Sequence, residues 1–313
     1  MSRWIPTRID GKIRTIAWLS LISEVTIIGT GGAVRLTGSG LGCPTWPACT
    51  PGSLIPTSEM GIHGVIEFAN RLMTGVIGII AIVAVILLWN LRRERRDLFV
   101  LSLVLIGGIV AQALVGGVTV LTGLNPFIVG FHYIASLLMV CVAAVLVYRV
   151  YSPVGARTRI VPVVVLALTH ATSFFVAITI AVGVLTTASG PHSGDIDAGR
   201  SGFNVELLEH LHAWPAYVMF FLTLVLLAVS AARRLPVRRW VAVLLLVEIA
   251  QIAIGLVQAN FGLPAVLVGT HMVLASILAA VMTVTILSLK KVTDAPGTES
   301  AASASTEPVL SNH

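Results

Sequence analysis

The sequence predicts an all-α polytopic membrane protein in which eight transmembrane helices form two tandem four-helix bundles related by a pseudo-twofold axis. Three observations carry that expectation. Hydrophobic residues make up 56% of the 313 positions and charged residues only 11%, with a mean hydropathy of +0.95, a composition outside the soluble globular range. The apolar residues fall into eight runs, at about 15–34, 64–90, 98–121, 128–148, 160–184, 205–230, 240–258 and 265–289; a helix crossing a hydrocarbon core of about 30 Å needs roughly 20 such residues. Finally, residues 112–132 recur as 251–271. In both segments Gly follows Gln by four positions (Gly116, Gly255), Gly-Leu stands at eleven and twelve (Gly123-Leu124, Gly262-Leu263), Gly at eighteen (Gly130, Gly269) and His at twenty (His132, His271).

An even number of spans places both termini on one side, and charge says which. Seventeen of the 20 Lys and Arg residues flank the apolar runs on a single face: Arg3 to Arg14 before the first run, Arg92 to Arg96 after the second, Arg149 to Arg159 after the fourth, Arg233 to Arg239 after the sixth, and Lys290 with Lys291 after the eighth. By the positive-inside rule that face is cytoplasmic. The basic pI of about 9.7 therefore reports topology, and no nucleic-acid partner is expected. The first run is too long for a secretory leader and lacks a small-x-small cleavage site, so it is expected to be retained as a helix. The halves are delimited at 1–152 and 153–292; the tail, 293–313, rich in Ser, Ala and Thr without periodicity, is expected to be disordered.

Taken in order, the first run ends in Val34-x-x-Thr37-x-Ser39-Gly40, which recurs at the end of the fifth as Val184-x-x-Thr187-x-Ser189-Gly190. Four spans per unit give both copies the same orientation, with the pseudo-twofold along the membrane normal. The longest outer loop, about 38–62, holds Cys43 and Cys49, which can form a disulfide where oxidation is permitted; a structural staple and a functional thiol pair are both open readings. Cys141, in the fourth run, reads as a packing residue.

The second run opens with His63, Glu67 and Asn70, spaced four and three apart and so on one helical face, followed by Arg71. Polar side chains there are costly unless they face a cavity or one another. The sixth run has the counterpart Glu209-x-x-His212, which aligns with Glu67-x-x-Asn70. His210 and His212 lie about 200° apart around a helix, and His212 is the one expected to point into the bundle. All these residues fall within about 15 Å of the outer ends of their helices, at 1.5 Å per residue.

Two histidines on facing helices of a bundle are suited to hold a haem by its axial positions, and His212 with His271 meets that description. The propionates of a haem need cations, and Arg35, Arg71 and Arg200 are the only basic residues off the cytoplasmic face. Gly116, Gly130, Gly255 and Gly269 would allow close approach of helices or of a ring. No His or Cys cluster has zinc-ligand spacing, and the sequence identifies no partner for His170 or His192.

The stretches GGAVRLTGSGLGCPTWPAC (31–49) and IEFANR (66–71), with the repeated Gln-to-His segments, resemble the haem A synthase family, in its bacterial form with an outer-loop cysteine pair. The resemblance covers nearly the whole chain apart from the tail. It implies a multi-pass enzyme of the bacterial cell membrane, both termini cytoplasmic, that oxidises the C8 methyl of haem O to a formyl group for terminal oxidase biogenesis. By that likeness the second half holds a permanent haem b through His212 and His271, with Arg200 nearby. The first half binds haem O through His132, with Asn70, Arg71 and Arg35 around it, Glu67 is the catalytic carboxylate, and Cys43 with Cys49 is the outer-loop pair. Two hydroxylations of the methyl group followed by loss of water would give the aldehyde, with electrons arriving through the second half.

Many members have His where this chain has Asn70, a poor iron ligand. The expectation is therefore that His132 alone holds haem O and leaves one face open, in preference to a role for His63. The partners implied are haem O, the haem O synthase (protohaem farnesyltransferase) that makes it, an electron donor and membrane lipid; a homo-oligomer is compatible with such a chain. A dihaem b-type electron-transfer protein is the alternative, but it predicts ligands near both membrane faces and equivalent halves. Here the ligands cluster on the outer side, and Asn70 breaks the equivalence.

Overall fold

The structure is a computed structural model that describes residues 5–292; the tail expected to be disordered, 293–313, lies outside the described residues. Among the described residues eight helices are long and apolar enough to cross a membrane: α1 (Gly11–Leu36), α2 (Gly61–Leu88), α3 (Arg96–Leu121), α4 (Pro126–Val150), α5 (Val163–Ser189), α6 (Val205–Ala232), α7 (Arg238–Asn260) and α8 (Ala265–Leu287). Their starts follow local signals. Asp10, Asn125 and Asn204 cap α1, α4 and α6 by accepting a main-chain N–H within the first turn, and Pro126 occupies the first turn of α4, where a missing N–H costs nothing.

Two elements depart from the hydropathy pattern. Helix α5 continues past 184 to Ser189, because Thr186, Thr187 and Ser189 return their hydroxyls to carbonyls four residues back. Those polar groups are satisfied within the helix and do not end it. Beyond α8 the chain turns into a short strand, β2 (Lys290–Val292), antiparallel to β1 (Arg157–Arg159) in the link between the halves. The basic flanks of two spans thus also form a ribbon that ties the end of α8 to the inter-half link.

The duplication holds at the level of backbone torsions. Gly123 and Leu124 have φ of 61° and 58°, and Gly262 and Leu263 have φ of 74° and 58°. In each turn the leucine N–H reaches back five residues, from Leu124 to Thr119 O at 2.8 Å and from Leu263 to Gln258 O at 2.9 Å. Consecutive left-handed residues close the helix and reverse the chain; glycine takes the first position without strain and leucine is forced into the second.

Within each half the four helices form a closed ring of neighbours: α1 with α2 and α4, α3 with α2 and α4, and correspondingly α5 with α6 and α8, α7 with α6 and α8. The halves meet along α4 and α8, with α1 against α8 and α4 against α5. Lipid tails are as apolar as leucine, so this contact is held by close packing and interhelical hydrogen bonds. Ile28, Leu137, Val140, Ala144 and Ala280 pack together there. The Tyr133 hydroxyl donates to Met272 O at 3.1 Å across the interface.

The solid packing lies toward the basic ends of the bundles. In the first half Ile13, Leu88, Leu91, Leu98, Leu146 and Val150 fill the core; in the second Val165, Leu226, Val237, Val241 and Leu289 do. The opposite ends, where the sequence collects its polar residues, enclose open space.

Candidate functional site

A cavity of about 630 Å3 runs through both halves and is lined by His132, Asn70, Glu67, Arg71 and Arg35 from the first and by His212 and His271 from the second. These are the residues singled out in the sequence, gathered into one space. Arg200 is not among them: it is exposed, in the link before α6. His210 is likewise exposed, and the helical phase that directs His212 inward directs His210 out.

In the second half the rings of His212 and His271 face each other with centres 6.2 Å apart and planes at 72°. Imidazole nitrogen binds a first-row metal at about 2.0 Å, and with about 1.1 Å from each nitrogen to its ring centre one ion between two rings needs about 6 Å. The observed separation fits a single iron held from both sides. His212 Nδ1 lies 2.9 Å from Thr179 O; a carbonyl only accepts, so Nδ1 carries the proton and Nε2 presents its lone pair to the cavity, as a metal ligand requires. Two glycines leave room for the rings. A Cβ on Gly183 would stand 2.7 Å from His212 Cε1, and one on Gly255 would stand 3.3 Å from His271 Cε1.

The first half repeats the framework with different contents. His132 enters from α4 at the position of His271, with Gly116 facing it as Gly255 faces His271. Asn70 takes the repeat position of His212, and Thr30 Oγ1 on α1 donates to Asn70 Oδ1 at 2.7 Å. That bond fixes the amide with its oxygen occupied, leaving the Nδ2 hydrogens without a partner among the described residues.

Glu67, 4% exposed, accepts at both oxygens, from the Cys43 N–H at 2.6 Å and from Arg71 Nη2. Arg71 also donates to the carbonyls of Cys43 and Thr45, each at 3.0 Å, and of Ala48 at 3.3 Å. Cys43 and Cys49 are joined in a disulfide and fully buried. The outer loop is thereby closed on itself and clamped on the Glu67 and Arg71 pair. It carries Trp46 into the cavity wall, flat against Gly117 of α3, where a Cβ would overlap the indole.

Arg35 lines the cavity from the end of α1 but spends two donors across the halves, Nε to His192 O and Nη2 to Thr187 O, both at 2.8 Å. His192 in turn bonds through Nε2 to Leu263 O at 2.9 Å. His63 faces away from the main cavity, bonded to Ser39 Oγ at 2.9 Å beside an outer depression that includes Asp195.

Sequence reading passed over several residues in and behind the cavity wall. Thr30 and Trp46 have no signal beyond their neighbours. Glu24 and Glu248, 4% and 0% exposed, did have one, since an acidic residue in mid-span is costly without a reason. Glu248 accepts from Thr223 Oγ1 at 2.8 Å.

The fold and the site together define a duplicated four-helix-bundle membrane protein with a bis-imidazole site in one half and a single imidazole in the other. Residues 14–283 match the family model described as cytochrome oxidase assembly protein, COX15-CtaA, and the chain belongs to that family. Among its relatives, "Heme A synthase" of Bacillus cereus (strain AH187) is 28% identical over 243 residues, 72% of this chain and 78% of the relative. "Heme A synthase" of Bacillus cereus (strain 03BB102) and of Bacillus anthracis (strain CDC 684 / NRRL 3495) are each 33% identical over 154 residues, 47% of this chain and 49% of theirs.

Proposed function

We propose that this protein is a haem A synthase, a membrane oxidoreductase that converts the C8 methyl group of haem O into a formyl group for terminal oxidase assembly. The observation that carries the reading is the pair of imidazoles 6.2 Å apart, one with its tautomer held for ligation, in a chain of this family. The second half, 153–292, holds haem b between His212 and His271, and the first half, 1–152, receives haem O at His132. Both termini are cytoplasmic and the site opens toward the outer side of a bacterial cell membrane, as the charge distribution supports.

When bound, haem b supplies a one-electron relay from an external donor. The chain's own residues do the rest. Thr179 O and the space at Gly183 and Gly255 set the angle of the two imidazoles. In the first half His132 binds the substrate from one side, while Asn70, tethered by Thr30, supplies no strong ligand and leaves the second face to a small oxidant. Arg35, with Nε and Nη2 on carbonyls of the second half, keeps its charge for a propionate, while Arg71 is paired with Glu67 and stands beside the substrate through it. Two hydroxylations, each drawing one molecule of oxygen, two electrons from the external donor and two protons and releasing one water, would turn the methyl group into a gem-diol, and loss of a further water yields the aldehyde. Each Glu67 oxygen holds one protein donor and keeps a lone pair for a substrate hydroxyl, so Glu67 orients the hydroxylated carbon and passes the proton of one hydroxyl to the other, which leaves as water. Trp46 of the disulfide loop walls the cavity beside Gly117.

Haem extraction by acid-acetone and chromatography tests the reading on protein purified with and without a co-expressed haem O supply. Haem b alone, converting to haem b plus haem A when haem O is supplied, is the expected outcome. Two haem b per chain under both conditions would establish an electron-transfer protein instead.

A further inference from the structure

The two Gln-to-His segments end in the same pair of side chains on equivalent helices, yet the pairs make different contacts. In the first half Gln112 Nε2 donates to the His132 carbonyl at 3.0 Å and to the Ser136 hydroxyl. His132 Nδ1 is left buried with no hydrogen-bond partner among the described residues. In the second half the residue one turn beyond the histidine is Ala275, which has no hydroxyl to offer. There the Gln251 amide turns to the ring: with its nitrogen toward the histidine it lies 2.8 Å from His271 Nδ1 and 3.3 Å from His271 O, and its oxygen accepts from Ala275 N–H at 2.9 Å.

That contact matters for ligation. An imidazole bound to a metal through Nε2 carries its proton on Nδ1 and is steadied by an acceptor there. When Nδ1 carries that proton, the Gln251 amide within reach of it must turn its oxygen to the ring, exchanging its bond from Ala275 N–H for one from the imidazole. Gln112, captured by Ser136, stands over the main chain and leaves the His132 ring without such support.

We propose that Ser136 and Ala275 are positioning residues that make His132 an exchangeable ligand and His271 a permanent one, by deciding whether the neighbouring glutamine reaches Nδ1. The proposal rests on the reading that haem O visits the first half and haem b stays in the second. It supplies what that reading needs: a substrate haem must arrive and a product haem must leave, while the cofactor between equivalent helices must not. Partners of a ligating histidine change metal affinity by about 10- to 100-fold, enough to separate the two behaviours.

The test uses the full-length protein in detergent, purified with haem b and then loaded with haem O without oxygen or reductant, so that no turnover occurs, and mixed with excess apomyoglobin as haem acceptor. The haem transferred is identified by chromatography. Ser136→Ala should slow haem O release by about 10-fold and leave haem b unchanged. Ala275→Ser should speed haem b release by about 10-fold and raise the haem b midpoint potential, since a weaker Nδ1 bond makes the imidazole a poorer donor to ferric iron. Gln251→Leu should do the same, and adding Ala275→Ser to it should change neither readout further, because the hydroxyl acts only through the glutamine. Wild-type release rates for both Ser136→Ala and Ala275→Ser, in protein whose two halves are loaded, would overturn this inference alone, as would an undiminished effect of Ala275→Ser on top of Gln251→Leu. Wild-type protein that takes up no haem O beside its haem b would overturn the two-site reading and this inference with it.

Discussion

Replacing Gly183 with alanine is the sharpest steric test of the second-half site. The new methyl group would stand 2.7 Å from His212 Cε1 and 3.0 Å from Nδ1. Carbon atoms in contact rest at about 3.5–4.0 Å, so the ring must retreat by about 0.8 Å or more. It cannot swing freely, because Nδ1 is tied to Thr179 O. Metal–ligand distances hold within about 0.2 Å, so the shift is several times what the iron site tolerates. Overpacking of this kind costs about 1–3 kcal/mol, which corresponds to about 5- to 150-fold in haem b affinity. The assay is the ratio of haem b to protein after purification, with the low-spin spectrum of the oxidised haem as a check on ligation. Gly116→Ala is the control: its methyl group would meet His132 Cε1 at 3.6 Å, an ordinary contact, and it should leave haem b content unchanged. Full haem b with an unaltered low-spin spectrum in Gly183→Ala, or equal depletion in both variants, would refute the argument.

Three other outcomes follow from the geometry. Asn70→His supplies an imidazole at the repeat position of His212, so the first half should convert its bound haem to a low-spin, six-coordinate spectrum and retain it while haem A yield falls; a persisting high-spin signal by electron paramagnetic resonance would count against an open face at Asn70. Glu67→Ala should abolish haem A while haem b remains bound, and unchanged haem A on chromatography would remove Glu67 from the chemistry. Arg35→Lys keeps the charge but not the fork that reaches Thr187 O and His192 O; losing one charge-assisted bond costs about 1.5–3 kcal/mol, read as a lower unfolding temperature, whereas a purely electrostatic role would leave lysine equivalent to arginine.

Much of this architecture was legible because a membrane span and a repeat are both one-dimensional signals. Hydropathy marked eight helices, and the Gln, Gly and His spacing set the helix-turn-helix geometry down to two left-handed leucines. The phase of α6 separated His212 from His210. What was not legible depends on contacts distant in the chain. The Thr179 carbonyl beneath His212 lies 33 residues away, and Arg35 finds its acceptors 152 and 157 residues on, in the other half. Arg35 reads in the sequence only as a cation away from the basic ends of the spans, because charge is visible there and hydrogen-bond partners are not. Arg200 shows the converse: its charge was visible, but its exposed loop position was not. The β1 and β2 pairing was hidden for a simpler reason, since three-residue strands of basic residues look like the flanks of spans.

Duplication by itself would make two equal sites, and an enzyme acting on a haem with the help of a haem needs unequal ones. The backbone does not supply the inequality, because the two Gly-Leu turns share their torsions and the helices share their neighbours. Side chains must therefore supply it, and the differences collect on the first half. Asn70 stands where His212 stands, so the first half has one imidazole where the second has two. Ser136 stands where Ala275 stands, which draws the glutamine off the remaining imidazole. The outer connection of the first half carries a disulfide loop whose Arg71 clamp and Trp46 wall bring Glu67 to the cavity; the connection between α5 and α6 contains no disulfide, and Arg35 anchors its start from the first half. The single imidazole and the loop-held carboxylate thus occur in the same half, as they must if the molecule bound there is the one to be changed and released.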